Sequence, residues 1–242
     1  MRKSDKEIDT RISFHSIESI LEHNPHKIKK VFLPANRDDD RINILIKLLN
    51  RNNIPYELSK KIKQEPVAQI KHEDNRNFKD LKEFIEASSK TNPLILILDN
   101  IIDPRNLGAC IRSAAVSGID ALIINKHQCA PINALVHKVS AGGIETLNIF
   151  HVSNLVNCLK YLKNINIKIY GLSEHSSKSY LDCEFDNGSA IVMGSEESGI
   201  REKTLDKCDQ KINLSNNNIF KSFNVSVATR IIIYEDIKKR KV

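Results

Sequence analysis

Apolar side chains recur along this chain in two rhythms. Phe14, Ile17, Ile20 and Leu21 stand three and four apart, which predicts a helix over 14–21. A short extended run, Val31-Phe32-Leu33, is stopped by Pro34. Ile42, Leu45, Ile46 and Leu49 give a second helix over 43–49 with one apolar side, and Ile54 to Leu58 predicts the next strand. These elements make a small α/β unit. From Lys71 to Asn77 the rhythm is lost. A short helix near Leu81 to Ala87 follows, and then the polar stretch Ser88-Ser89-Lys90-Thr91-Asn92-Pro93. The expected organisation is a small domain over 1–75, a linker over 76–92 and a larger domain over 93–242.

In the larger part the rhythm changes. Leu94 to Leu98 is a continuous apolar run, as expected of a strand covered on both faces, and similar runs recur at Ala121 to Ile124, Ile167 to Tyr170 and Ala190 to Met193. Helical spacing separates them: Asn106 to Ser117, stopped at Gly118, then Ser153 to Lys163, and finally Ser222 to Lys239. Such alternation predicts an α/β fold with a mostly parallel sheet and helices on both faces.

Composition narrows the classes. No run approaches the roughly 18 consecutive apolar residues of a membrane span, and the charged start Met1-Arg2-Lys3 has no apolar segment behind it. No membrane role and a cytoplasmic location are expected. Five cysteines, an odd number with no Cys-x-x-Cys pair, argue for reduced thiols over a disulfide framework or a zinc site. The eight histidines show no metal-ligand spacing, so no metal is expected. Thirty-seven Lys and Arg against thirty Asp and Glu leave +7, a balance that fits a polyanionic partner such as RNA.

No Gly-x-Gly-x-x-Gly follows a strand and no phosphate-binding Gly-x-x-x-x-Gly-Lys-Ser/Thr occurs, which argues against a Rossmann dehydrogenase or a P-loop NTPase. Three polar loops instead follow apolar runs, where open α/β sheets bind ligands. Asp103-Pro104 begins a turn, Asn106 stands near a helix start, and Arg112 lies in a small, apolar segment where a guanidinium needs a carboxylate or phosphate. A structural salt bridge is the plainer account of Arg112. Gly194 and Gly199 bracket a second loop containing Glu196, which alone would pass for an ordinary turn. An asparagine-rich third loop after Ile212 leads into a helix opened by Ser222, an acceptable cap, with Asn224 in its first turn.

Taken in order, Asn106 and Arg112, then Gly194-Ser195-Glu196, then Ser222-Phe223-Asn224-Val225-Ser226-Val227-Ala228 resemble the three motifs of the SpoU (TrmH) family of RNA ribose 2′-O-methyltransferases in the SPOUT superfamily. The likeness spans about 98–235. The N-terminal part, with Phe14 to Leu21 and Val31-Phe32-Leu33, resembles the L30-like substrate-binding domain of bacterial 23S rRNA guanosine 2′-O-methyltransferases. There are departures. Asn213-Leu214 and Ser215 to Lys221 stand where the family usually has Pro-Met and a shorter loop, Phe223 replaces a Leu, and Val67-Ala68-Gln69-Ile70 stands where a His-Gln-Gly segment is common.

The resemblance implies methyl transfer from S-adenosyl-L-methionine to a ribose hydroxyl of RNA, with 23S rRNA as the substrate, a deep trefoil knot around the cofactor site, and a homodimer. It implies catalytic roles for Arg112, Asn106, Glu196, Ser222 and Asn224, and cofactor contacts at Gly194, Ile212 and Phe223. Two rival readings fit the same residues. One is a tRNA ribose methyltransferase, which often lacks the extra N-terminal domain; the other is an RNA-binding paralogue that has lost catalysis.

Overall fold

The computed structural model describes residues 9–71, 75–185, 188–215 and 223–240. Along the first part run β1 (Asp9–Ile12), α1 (Phe14–His23), β2 (Ile28–Pro34), α2 (Asp40–Arg51), β3 (Tyr56–Ser59), β4 (Val67–Ile70) and α3 (Phe78–Ala87). There follow β5 (Leu94–Leu98), α4 (Pro104–Ser117), β6 (Ala121–Asn125), α5 (Ala134–Ser140), α6 (Gly143–Thr146), β7 (Ile149–Val152) and α7 (Leu155–Asn164). The chain closes with β8 (Lys168–Leu172), β9 (Ser189–Met193), α8 (Glu202–Leu205), β10 (Gln210–Ile212) and α9 (Val225–Arg240).

Two compact units result. The first takes residues 1–74 together with 132–146. Its four strands lie in the order β1-β4-β2-β3, with β2 parallel to β3 and antiparallel to β4. Phe14, Ile17 and Ile20 of α1 and Leu45 and Leu49 of α2 bury themselves against Val31 and Leu33 of β2, so the two predicted apolar stripes share one core. Within this unit Arg11 on β1 donates to Glu145 at 2.9 Å, and His137 stands 3.5 Å from the same carboxylate oxygen.

The second unit takes residues 75–131 and 147–242. Six strands, all parallel, lie in the order β10-β8-β9-β5-β6-β7; the four apolar runs predicted a mostly parallel sheet and account for β5, β6, β8 and β9. Every residue of β5, β6 and β9 is buried, which explains why these strands read as unbroken apolar runs. Residues 76–92, expected to be a linker, contain α3, whose Leu81 is fully buried among Ile95, Ile97 and Phe150. Phe78, Leu81, Phe84 and Ile85 repeat at helical spacing and form an apolar side that needs a core. Residues 132–146, inside the range expected for the larger domain, group with the first unit instead.

Helix α4 starts where the sequence indicates. Asp103 caps it by accepting from Arg105 N at 2.7 Å, Pro104 takes the first position, and Gly118 ends it in the left-handed region at φ 67°. Helix α9 packs on α4, with Cys110 Sγ 3.5 Å from Thr229 Oγ1. Its far end is anchored as well. Asp236, fully buried, pairs with Arg240 and accepts from Ser189 Oγ at the start of β9, and Arg240 donates to the backbone oxygen of Asn92 at 2.6 Å.

Candidate active site

The site of the second unit is built on the carboxyl ends of β5, β8, β9 and β10. At the end of β5, Asp99 is fully buried and accepts from Arg201 Nε at 2.8 Å, from Arg201 N at 3.3 Å and from Asn125 Nδ2 at 3.3 Å. Next to it Asn100, in the left-handed region at φ 66°, donates to Ser198 Oγ at 2.8 Å. Ser198 N in turn donates to Ser195 Oγ at 3.0 Å, and Ser195 and Gly199 exchange backbone hydrogen bonds. The loop from Gly194 to Arg201 is thereby tied down at its middle and its end by two consecutive residues that follow β5.

Gly194 has a steric reason to be glycine. A Cβ at this position would stand 2.0 Å from Gly199 C and 2.1 Å from Ile200 N, both backbone atoms, so no side chain fits. The loop folds back on itself there and turns Glu196 outward. Glu196 Oε1 accepts from Val225 N at 3.1 Å, the first residue of α9, and also from Asn224 Nδ2. A carboxylate is well placed at that helix end, where orphan N–H groups carry partial positive charge. Asn224 Nδ2 also reaches Asn106 Oδ1 at 3.2 Å, and Asn224 Oδ1 accepts from Ser226 N at 3.0 Å.

The helix therefore opens at Val225 with Asn224 as its cap, later than expected. The expected cap, Ser222, lies outside the described residues, as does most of the asparagine-rich loop. Asn106 in the first turn of α4, Glu196 in the loop after β9 and Asn224 at the cap of α9 thus form one hydrogen-bonded chain. Gly194, Ile212 and Phe223 come together too, around a pocket that also takes in Leu172 to His175, Leu205, Leu214 and Ala228. Arg112 does not join them. It is exposed on α4, lines neither this pocket nor its neighbour, and makes no ion pair among the described residues, so nothing there supports the salt-bridge account.

A second pocket adjoins the first. Ile101, Ile102, Asp103 and Asn106 line it on one side, and Ser195 to Ser198 with Val225 form a wall common to both. Glu196 belongs to that wall. Sequence reasoning missed Ser173, Glu174 and His175, which follow β8 and line the first pocket, and it missed the Asp99–Arg201 pair beneath it. The signal for the first was present: a polar stretch directly after an apolar run. Among the described residues no group of three His, Cys, Asp or Glu is placed to hold a metal ion. Cys110, under the site, is a buried thiol that burial pushes up to about 11, despite its hydrogen bond with Thr229.

A parallel sheet whose strand ends open into two adjoining pockets defines an α/β domain of the kind that binds its ligands at the carboxyl edge of the sheet. Residues 93–234 match the SpoU rRNA methylase family, and residues 14–74 match the RNA 2′-O ribose methyltransferase substrate-binding family. The chain belongs to the SpoU rRNA methylase family. It is 32% identical to the 23S rRNA (guanosine-2′-O-)-methyltransferase RlmB of Haemophilus influenzae, over 93% of this chain and 96% of that one. Identity to RlmB of Blochmanniella floridana is 35%, over 94% and 93% of the two chains. Among solved structures, the SpoU methyltransferase AviRb from Streptomyces viridochromogenes, in complex with AdoMet, superposes with a TM-score of 0.78 at 18% identity, over 97% of this chain and 91% of that one. That last likeness is one of fold.

Proposed function

We propose that this protein transfers a methyl group from S-adenosyl-L-methionine to the 2′-hydroxyl of a guanosine ribose in 23S rRNA. The observation that carries the reading is the pair of pockets divided by the Ser195–Ser198 wall, since methyl transfer needs donor and acceptor side by side and in line. The residues present fit the donor. Gly194 leaves a cradle that a Cβ would fill, Ile212, Leu214 and Ala228 offer apolar surface, and Glu174 and Ser173 offer polar contacts to a ligand with both kinds of surface. When bound, S-adenosyl-L-methionine supplies an electrophilic methyl on sulfonium.

The chain's own residues supply the rest. In this reading Asn106, Glu196 and Asn224, with Ser222, orient the ribose in the second pocket, and Gly194, Ile212 and Phe223 hold the donor. The ribose hydroxyl must lose its proton as the new bond forms, and Arg112 stabilises the developing alkoxide or relays the proton through an RNA phosphate. A guanidinium stays protonated at neutral pH and so does not act as the base itself. Arg112 lies outside both pockets of its own chain, which fits a site completed by a second copy. The proposed homodimer uses the face of α4 and α9 that presents Arg112, Val116, Val227 and Tyr234 to solvent. The trefoil knot belongs to the same proposal. Its support is the path of the chain, which leaves β9, runs to edge strand β10 and returns to α9 beside β9.

The 23S assignment draws support from the substrate-binding match over residues 14–74 and from the substrates that the two RlmB relatives are named for. A cytoplasmic location follows from that substrate, and among the described residues no helix is long and apolar enough to cross a membrane. Mapping 2′-O-methylation across rRNA and tRNA in a deletion strain tests the assignment. One 23S guanosine mark is expected to vanish and to return when purified protein and S-adenosyl-L-methionine are added to the unmodified RNA. Retention of every 23S mark together with loss of a tRNA mark would replace it with the tRNA reading.

A further inference from the structure

We propose that the open face of the small four-stranded sheet is where an unpaired stretch of RNA lies, with Phe32 as the platform on which one base stacks. This rests on the RNA methyltransferase reading and adds the surface that grips the substrate. One face of the sheet is taken: Val31, Leu33, Ala68 and Ile70 point into the core under α1 and α2. Arg11 pairs in register with Ala68, so it shares that face, and it reaches Glu145 of α6 there. Strand alternation puts Lys30 and Phe32 of β2, Glu57 of β3, and Val67 and Gln69 of β4 on the other face. Phe32 sits on the inner strand β2, with Val67 and Glu57 as its partners on either side.

What lies over the ring is polar. Lys30 Nζ is 5.1 Å from the centroid of Phe32 and is held there by Glu57 at 2.7 Å. A half-buried phenyl ring beneath an exposed ammonium is an aromatic surface that a base can take over, the ammonium turning from the ring to a phosphate. The Glu57 carboxylate beside it accepts from N–H groups on a base edge, as the Watson–Crick edge of guanine presents them. Both ends of the face are basic. Lys27, Lys29 and Lys71 cluster where β2 begins, with Lys71 N donating to Lys27 O at 2.8 Å, and Lys60 and Lys61 follow the end of β3, which runs parallel to β2. Residues 9–71 hold twelve Lys and Arg against eight Asp and Glu, so the charge suits a polyanion.

The chain has no tryptophan, so Phe32→Trp places a single indole on this face. With the full-length protein and a 23S rRNA fragment carrying the target, its emission is expected to be quenched as RNA is added, with affinity within about twofold of wild type. Phe32→Leu keeps apolar volume and loses the ring; KM for RNA is expected to rise about tenfold, the loss of one stacked base, with kcat and the heat of S-adenosyl-L-methionine binding unchanged. Phe32→Tyr should restore KM. Emission that RNA leaves unchanged, or an unchanged KM in Phe32→Leu, overturns the proposal while leaving the methyltransferase reading intact. Quenching by RNA in a protein that methylates no RNA would remove the methyltransferase reading and leave the binding face standing.

Discussion

Arg112 is a cation with no counter-charge among the described residues, on a helix whose inner side is packed with Cys110, Ile111 and Ala114. Its removal should cost the fold little, within about 0.5 kcal/mol, as for other surface side chains. Arg112→Ala is therefore expected to leave thermal unfolding and S-adenosyl-L-methionine binding unchanged and to lower kcat by roughly 10²–10³-fold, the scale of losing one transition-state donor. Arg112→Lys should not rescue it, since an ammonium lacks the planar fork. A variant that unfolds yet turns over normally per folded molecule would refute this. The thiols give a second test. Burial pushes Cys158 and Cys208 up to about 12 and Cys110 up to about 11, so none of the three holds a thiolate at neutral pH. A thiol-reactive dye should label these three slowly in native protein and all five cysteines at once in guanidinium. At this scale the sequence was most legible where one residue type is chemically out of place, as Arg112 is. Asp99 and Arg201 escaped notice because they stand 102 positions apart and only the fold pairs them.

The Gly194–Arg201 loop shows how an element acquires precision from its supports. Asp99 and Asn100 hold it from below, and Glu196 passes that order on to α9 and, through Asn224, to α4. Breaking the Asp99–Arg201 pair leaves a fully buried carboxylate with Asn125 as its remaining side-chain partner. Arg201→Ala is expected to destabilise the protein by about 3 kcal/mol in urea unfolding, the low end for breaking a buried pair, and to weaken S-adenosyl-L-methionine binding in calorimetry. Gly194→Ala should abolish that binding outright, because the loop cannot accept a Cβ without moving its backbone. Normal cofactor heat from Gly194→Ala would show that the loop does not form the cradle. Elements were legible in proportion to how strongly they repeat. The buried strands β5, β6 and β9 and the long helices stood out, whereas β1, β7 and β10 span four residues or fewer with half-buried or mixed positions, and α5 and α6 are too short to show a period. Glu174 and His175 were missed for a related reason: the loop after β8 has no glycine pair to mark it.

At the scale of the whole molecule, the two units respond to acid through different groups. In the first, burial holds the His137 imidazole below its usual 6.5, with Arg11 adding to the effect and Glu145 and Asp9 opposing it. Burial also pushes the Glu145 carboxyl up, but His137 and Arg11 outweigh it and hold the group below 4.5. Both shifts have one sign for stability. Each folded-state pKa lies below its unfolded value, so the unfolded chain binds more protons, and the contribution is complete above about pH 6.5 and lost as pH falls, first through His137 and then, below about 4.5, through Glu145. In the second unit His151 on edge strand β7 is also held low by burial and Lys126. Asp236 runs the other way: burial pushes its carboxyl up against Arg240 and Ser189, so mild acid favours the folded form around it. Hydrogen exchange between pH 7 and 5, corrected for intrinsic rates, should therefore lose protection first in β1, α5 and α6 and along β7, while β9 and the end of α9 keep theirs. His137→Gln, which cannot titrate, should flatten the response in the first unit and leave β7 unchanged. Uniform loss across both units, or an acid limb that His137→Gln does not alter, would show that these buried groups do not set the pH dependence.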